Sequence, residues 1–362
     1  MKSPGLAVAA AFPALVVAAA FAPAQAAIGS TGWRVVLTQH FGAAANTSAY
    51  EKVAAPGVGD AWVFGGTSVT LGGPAGTGRP VAEHWTGAKW TPSALPTCLV
   101  GDVSASAALS GTSVWAVNES GSANASILYW NGTNWSVTGS LPGTSTDVAT
   151  GMLAFSNSNV WAFGNPGNAA GTGTWHYNGR TWTRQTGIAR GITTAAAVSP
   201  ADIWAIGSTS LPEDTLLHYN GSTWQPVTAP VLSGQGFSAI LALPKDNVWA
   251  LTYPSQSANP HLVHLSGGTW SSVQLPWTFS DAFTLAPDGS GGFWFIGYAA
   301  SRAWAVHRTS AGVLSRTELA GHPALMGLAL VPGTTSVWGA GTDTASSGTG
   351  TNAEIFACGP ER

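Results

Sequence analysis

The stretch that decides the fold reads Asp202-Ile-Trp-Ala-Ile-Gly207 and is followed by His218-Tyr-Asn-Gly-Ser-Thr-Trp224. Its opening, a small residue, a spacer and a tryptophan, occurs seven times in the 362-residue chain, at Trp62, Trp115, Trp161, Trp204, Trp249, Trp294 and Trp338. After a first gap of 53, these tryptophans are 43 to 46 residues apart. A period of this length, kept to the end of the chain, is typical of closed or stacked repeat proteins.

Each repeat reads as four short β-strands, here called A to D. In the fourth repeat they are 192–198, 203–206, 215–219 and 223–227, and Asn220-Gly221 joins the last two. Runs of β-branched and aromatic residues predict strands, and Asn-Gly between two of them predicts a hairpin. Four strands in about 45 residues is the size of a propeller blade. We therefore predict an all-β, seven-bladed β-propeller with four antiparallel strands per blade.

The two ends of the chain predict how the ring closes. The seventh repeat stops after a strand C at 354–357, without a strand D. Residues 32–37 have the character of a strand D and would supply the missing outer strand, which removes an open sheet edge. An open solenoid of the same repeats is the alternative.

The first 26 residues differ from the rest. Lys2 is followed by an apolar run from Gly5 to Phe21, and Ala24-Gln-Ala26 matches a cleavage site. We expect a signal peptide over 1–26 and a single propeller domain over 27–362, secreted, extracellular and monomeric. An uncleaved membrane anchor is the alternative.

Composition narrows the possible partners. The chain is only 8% charged, with a formal net charge of −3, against roughly a quarter charged residues in typical globular chains. Without a basic patch, neither nucleic acid nor an anionic membrane is an expected partner.

The quoted motifs resemble the Trp-rich propeller repeats of exported bacterial proteins and, distantly, Kelch and galactose-oxidase-type propellers. The resemblance covers 33–358. Galactose oxidase implies a copper site of two tyrosines, two histidines and a cysteine cross-linked to tyrosine, and no segment around the six tyrosines matches it. We expect no metal and no cofactor.

Repeated polar residues invite a catalytic or metal interpretation. His84, His176, His218 and His264 share one repeat position, with His307 close to it, and a ring of such positions cannot converge on one ion. Packing against the adjoining hairpin is the predicted role. His40, His261 and His322 are isolated from one another. Asp60, Asp202 and Asp246 precede strand B, where such side chains bond their own backbone in turns.

Ligand binding is predicted on the face formed by the B–C and D–A loops, because these loops vary while the A–B and C–D turns are short and uniform. Its polar and aromatic residues are the candidates: Arg79, Glu119, Glu213, Asp214, Tyr253, Arg302 and Asp343. Arg79, Arg190 and Arg302 could share this face, as the arginines of sialidase-like propellers do, but no S-x-D-x-G-x-x-W turn accompanies them.

Two functions stay open. The first is a non-catalytic module that binds a protein or a glycan, and the second is a secreted carbohydrate-active hydrolase or lyase on the same face. Converging Asp, Glu, His and Arg at the channel mouth would favour the enzyme. The two cysteines, Cys98 and Cys358, are expected on opposite faces, too far apart for a disulfide.

Overall fold

A computed structural model describes residues 32–41, 47–67, 78–120, 124–142, 147–166, 173–185, 188, 191–208, 215–229, 236–253, 259–321, 323–343 and 351–359. Within these ranges the secondary structure is entirely β. The predicted signal peptide (1–26), Arg190, Glu213, Asp214 and His322 lie outside them.

The strands form seven four-stranded antiparallel sheets. After β1 (Arg34–Gln39), blade 1 comprises β2 (Ser48–Gly57), β3 (Asp60–Thr67), β4 (Pro80–Trp85) and β5 (Trp90–Pro92). Blade 2 comprises β6 (Asp102–Ser110), β7 (Ser113–Glu119), β8 (Ser126–Trp130) and β9 (Trp135–Ser140). Blade 3 comprises β10 (Asp147–Ser156), β11 (Asn159–Pro166), β12 (Thr174–Tyr177) and β13 (Trp182–Arg184).

The remaining blades follow the same order. Blade 4 comprises β14 (Gly191–Ser199), β15 (Asp202–Ser208), β16 (Thr215–Tyr219) and β17 (Trp224–Val227). Blade 5 comprises β18 (Phe237–Leu243), β19 (Asn247–Thr252), β20 (His261–Ser266) and β21 (Thr269–Gln274), and blade 6 comprises β22 (Asp281–Pro287), β23 (Phe293–Ala299), β24 (Arg302–Arg308) and β25 (Leu314–Glu318). Blade 7 comprises β26 (Ala324–Leu330), β27 (Val337–Thr342), β28 (Ala353–Cys358) and β1.

The chain closes through its N-terminal strand, as the sequence predicts. β1 pairs antiparallel with β28, from Arg34 opposite Ala357 to Gln39 opposite Ala353. The seven inner strands contact one another in sequence, and β26 also contacts β2, so the ring is continuous. The all-β seven-bladed propeller is confirmed, and the open solenoid is wrong.

Tryptophans fill the wedges between blades. The seven strand-B tryptophans are at most 9% exposed. Five of them stack on a strand-C imidazole with ring centroids 3.7 to 4.4 Å apart: Trp62–His84, Trp161–His176, Trp204–His218, Trp249–His264 and Trp294–His307. Aromatic pairs at this separation add to the free energy gained from burial. The repeat histidines are therefore half-buried and pack against the buried tryptophans.

The aspartate that begins strand B in blades 1 and 4 binds the histidine rather than its own backbone. Nε2 of His84 lies 2.9 Å from Asp60 Oδ1, and Nε2 of His218 lies 2.9 Å from Asp202 Oδ1. The predicted Asx-type role of these two aspartates is therefore wrong. Asp246 lies one residue before the equivalent position, in a left-handed turn with φ 50°. Blade 6 takes its carboxylate from Asp288 in the A–B turn, 2.8 Å from His307 Nε2.

The C–D turns of blades 2, 3 and 4 share one conformation, because an asparagine side chain caps each of these three turns. In blade 3 the side chain of Asn178 accepts the N–H groups of Arg180 and Thr181, and Gly179 adopts φ 90°. Asn131 and Asn220 do the same in blades 2 and 4. The A–B and C–D turns form one end of the ring, here called the turn face. The opposite end, formed by the B–C and D–A loops, is the variable face.

Every inner strand carries a β-bulge at the same level of the channel. The bulged residues are Glu51, Ser104, Thr150, Thr193, Ser238, Thr284 and Met326. In blades 4 and 5 the bulged hydroxyl donates to a strand-B carbonyl, Thr193 to Ile206 and Ser238 to Leu251. In blade 3 the Thr150 hydroxyl lies 3.0 Å from the carbonyl of Ile192 in the next blade and 3.4 Å from that of Phe163. A hydroxyl at this position thus satisfies a carbonyl that the bulge leaves out of the ladder.

Candidate functional site

The described candidate residues all lie where strands meet the variable face. Glu119, Tyr253 and Asp343 end or follow strand B, whereas Arg79 and Arg302 lie at the start of strand C. Tyr253 is 41% exposed. The set surrounds the ring rather than converging, because its members come from blades 1, 2, 5, 6 and 7.

Three of these residues brace the loop ends. Arg79 Nη1 donates to the carbonyl of Thr97 at 3.2 Å, and Arg302 Nη1 lies 3.0 Å from Glu318 Oε1. The backbone and side-chain N–H groups of Asn352 donate to the Asp343 carboxylate at 2.7 and 2.6 Å. Of the three arginines that were predicted to share this face, the structure describes Arg79 and Arg302. These two belong to blades 1 and 6, so they do not form a carboxylate clamp.

Glu119 belongs to a different arrangement. It pairs in register with Asp102 across β6 and β7, and the bulged Glu51 of the adjacent inner strand β2 faces the same region. We call Glu51, Asp102 and Glu119 the acidic cluster. All three side chains are buried, at 5 to 8% exposure. The cluster lies at the inner rim of the variable face, between blades 1, 2 and 3.

Burial controls the protonation of this cluster. It raises the pKa of Glu51 to about 7, while Lys52 acts to lower that pKa and the charge of Asp102 adds to it. Burial likewise raises the pKa of Asp102 to about 6 and that of Glu119 to about 7. These are the ranges in which a carboxyl group can hold a proton near neutral pH.

The cluster is only partly satisfied by hydrogen bonds. Glu119 Oε1 accepts the backbone N–H of Ala149 in blade 3, and the nearby Ser104 hydroxyl helps to lower the Glu119 pKa. Glu51 Oε1 and Asp102 Oδ1 are buried with no hydrogen-bond partner among the described residues. Within the same ranges, no three His, Cys, Asp or Glu side chains are placed to hold a metal ion.

A second buried carboxyl group lies nearby in blade 1. Glu83 on β4 is 1% exposed, and Tyr50 on β2 is fully buried. Gly65 lies between them on β3, where a Cβ would meet the backbone of Ala49 and Tyr50. Burial raises the pKa of Glu83 to about 7, and the Tyr50 hydroxyl acts to lower it.

The acidic cluster was not predicted from the sequence, because its members come from two repeats and lie 17 to 68 residues apart. The residue type at the bulge position of each repeat could have revealed this cluster. Aligned by repeat, that position carries a hydroxyl in five blades and a carboxylate only in blade 1.

Comparisons with known proteins support the fold. No family model matches the sequence, and a search of curated proteins finds no match. Among solved structures, YCF48 bound to D1 peptide is 14% identical with a TM-score of 0.59, over 91% of this chain and 98% of that one. Virginiamycin B lyase from Staphylococcus aureus is 11% identical with a TM-score of 0.60, over 90% and 99%. A GH74 enzyme from Niastella koreensis is 15% identical with a TM-score of 0.57, over 85% and 54%.

Proposed function

We propose that the protein is an exported, non-catalytic binding module that recognises a protein or a glycan through its variable face. The observation that carries this proposal is the bracing of the loop ends. The bonds Arg79–Thr97 and Arg302–Glu318 tie B–C loop ends to the D–A loop of blade 1 and to strand D of blade 6, and the bond Asp343–Asn352 joins the two ends of the B–C loop of blade 7. Loops anchored in this way lose less conformational entropy on binding, which favours recognition.

The fold alone permits either function. The similar structures include a propeller bound to a peptide, a lyase and a GH74 enzyme, and a shared fold does not imply a shared function. Export rests on the signal-peptide pattern over 1–26. Among the described residues, no helix is long and apolar enough to cross a membrane.

The acidic cluster favours the second candidate, a carbohydrate-active hydrolase or lyase. Neighbouring carboxyl groups with raised pKa values are what general acid catalysis requires. However, the three side chains are at most 8% exposed, and no described histidine or arginine bonds to them. The binding module therefore agrees better with the described geometry.

The test compares matched variants on the two faces. Mature protein (27–362) is applied to a glycan array and to cell-wall and protein pull-downs. Arg79→Ala combined with Tyr253→Ala should weaken binding at least tenfold. The control pair, Arg180→Ala with Val58→Ala, removes an exposed arginine and an exposed apolar side chain from the turn face and should leave binding unchanged.

Two results would contradict the proposal. Equal loss of binding in the control pair would move recognition to the turn face. Turnover of a captured glycan that disappears in Glu51→Gln or Glu119→Gln would establish the enzyme instead.

A further inference from the structure

One repeat position covers the tryptophan between each pair of blades. It is the strand-C residue that pairs with the residue preceding the strand-B tryptophan; Trp85 pairs with Ala61, for example, and Cys358 with Val337. Around the ring this position is occupied by Trp85, Trp130, Tyr177, Tyr219, Leu265, Arg308 and Cys358.

Six of these side chains are large, and each packs on the preceding blade. Ring centroids are 5.1 to 5.4 Å apart where the residue is aromatic: Trp85–Trp338, Trp130–Trp62, Tyr177–Trp115 and Tyr219–Trp161. The guanidinium carbon of Arg308 lies 4.1 Å from the Trp249 ring centroid. Leu265 shares a buried cluster with Trp204.

The seventh side chain, Cys358, is small, and a cavity lies where four other blades place a ring. It measures about 180 Å³ and is lined by Asp288, Ser290, Trp294, His307, Thr335, Cys358 and Gly359. Trp294 and Cys358 are buried, while Ser290 and Thr335 are exposed at the rim. The cavity therefore opens on the turn face, between blades 6 and 7.

The walls of the cavity favour a neutral planar ligand. Burial acts to raise the pKa of Asp288, but hydrogen bonds from His307, Ser290 and Gly292 outweigh it and keep the pKa below its usual value. That carboxylate is already engaged on both oxygens. Burial raises the pKa of the Cys358 thiol to about 11, so the thiol is neutral and contributes apolar surface. Trp294 supplies aromatic surface.

We infer that this cavity between Trp294 and Cys358 is a binding site for a planar aromatic group the size of a phenol or indole ring. The ligand takes the place that Trp or Tyr occupies in four other blades. The volume suffices, since a cavity of about 150 Å³ holds benzene. The site lies on the turn face, so it does not depend on the function proposed for the variable face.

The probes are indole and phenol as free rings, and N-acetyl-tryptophanamide as a polypeptide side chain. Binding to the mature protein is measured by saturation-transfer NMR. Saturable transfer to the free rings alone indicates a small-molecule ligand. Transfer to the amide as well indicates an aromatic side chain of a partner.

Two kinds of variant separate the cavity from the thiol. Cys358→Ser keeps the space and should retain binding within about twofold. Cys358→Tyr, which copies blades 3 and 4, fills the space and should abolish binding. Cys358→Leu copies blade 5 and serves if the tyrosine variant does not fold.

The two cysteines allow a test without any substitution. Saturating indole should slow the alkylation of Cys358 at least fivefold, read by peptide mass spectrometry, and leave the exposed Cys98 unaffected. Absence of saturable transfer in the wild type, retained binding in a folded filled variant, or unchanged Cys358 alkylation would each overturn the inference.

Discussion

Replacing Glu51 by glutamine should stabilise the protein at alkaline pH. Burial raises the pKa of this carboxyl from 4.5 to about 7. Each pKa unit corresponds to about 1.4 kcal/mol, so ionised Glu51 destabilises the fold by about 3 kcal/mol. Glutamine has nearly the same shape and carries no charge, so it removes this term.

The sign of the effect follows from proton linkage. Between pH 4.5 and 7 the folded protein holds a proton on Glu51 that the unfolded chain has released, so stability falls as the pH rises through this window. Above pH 7 the loss is complete, and below pH 4.5 it is absent. Asp102 and Glu119, with pKa values also raised by burial, act in the same direction.

The assay is urea unfolding of wild type and Glu51→Gln at several pH values from 4.5 to 8.5. The variant should be more stable by about 3 kcal/mol at pH 8 and nearly equal to wild type at pH 4.5. Glu318→Gln is the control, because this exposed carboxylate pairs with Arg302 at the surface and its loss should change stability by less than about 1 kcal/mol. A difference between wild type and Glu51→Gln that does not change with pH would refute the reasoning.

Other expectations follow from the ring itself. Trp204→Ala should lower the free energy of unfolding by about 3–5 kcal/mol in urea titration, because the indole is 6% exposed between blades; free access of a solvent quencher to it would contradict the packing. Deletion of 27–38 removes most of β1 and exposes β28, so size-exclusion chromatography should show aggregation, and an unchanged monomer would contradict the closure. Denatured, unreduced protein should show two thiols, Cys98 and Cys358, and in the folded state Cys98 should react far faster, since burial raises the Cys358 pKa to about 11.

Nearly all of the fold could be predicted from the repeat pattern. The tryptophan period fixed seven units, and the strand limits in blade 4 differ from the prediction by no more than two residues at any end. β1 was predicted over 32–37 and lies at Arg34–Gln39. Trp33 then meets Trp294 edge-on at 5.6 Å, as the strand-D tryptophans of other blades meet theirs. Local sequence sufficed because each unit repeats the same four strands.

The polar chemistry could be predicted only in part. The histidine positions were correctly assigned to packing, but the partner of Asp60 was not, because a turn aspartate and a histidine 24 residues later are adjacent only through strand register. The acidic cluster required the bulge geometry, which moves Glu51 out of the ordinary alternation of the strand. Glu119 was placed in a loop, whereas it ends β7 and is buried.

The acidic cluster and the cavity between Trp294 and Cys358 both coincide with departures from the internal repeat. Glu51 replaces a hydroxyl at the bulge, and Cys358 replaces a large side chain over Trp294. Ionised Glu51 destabilises the fold by about 3 kcal/mol at pH 8, and the small side chain of Cys358 gives up the packing that a large side chain supplies at this position in the other blades. Six blades show that this chain can fill the second position, and blades 4 and 5 show that a hydroxyl at the first position can bond to a strand-B carbonyl. A local loss of stability at a position where the same sequence supplies a more stable residue elsewhere is expected where function opposes stability, and for Cys358 that function is the binding inferred above. The acidic cluster lies at the variable face and the cavity over Trp294 opens on the turn face. Substitutions at Glu51 and at Cys358 should therefore have independent effects.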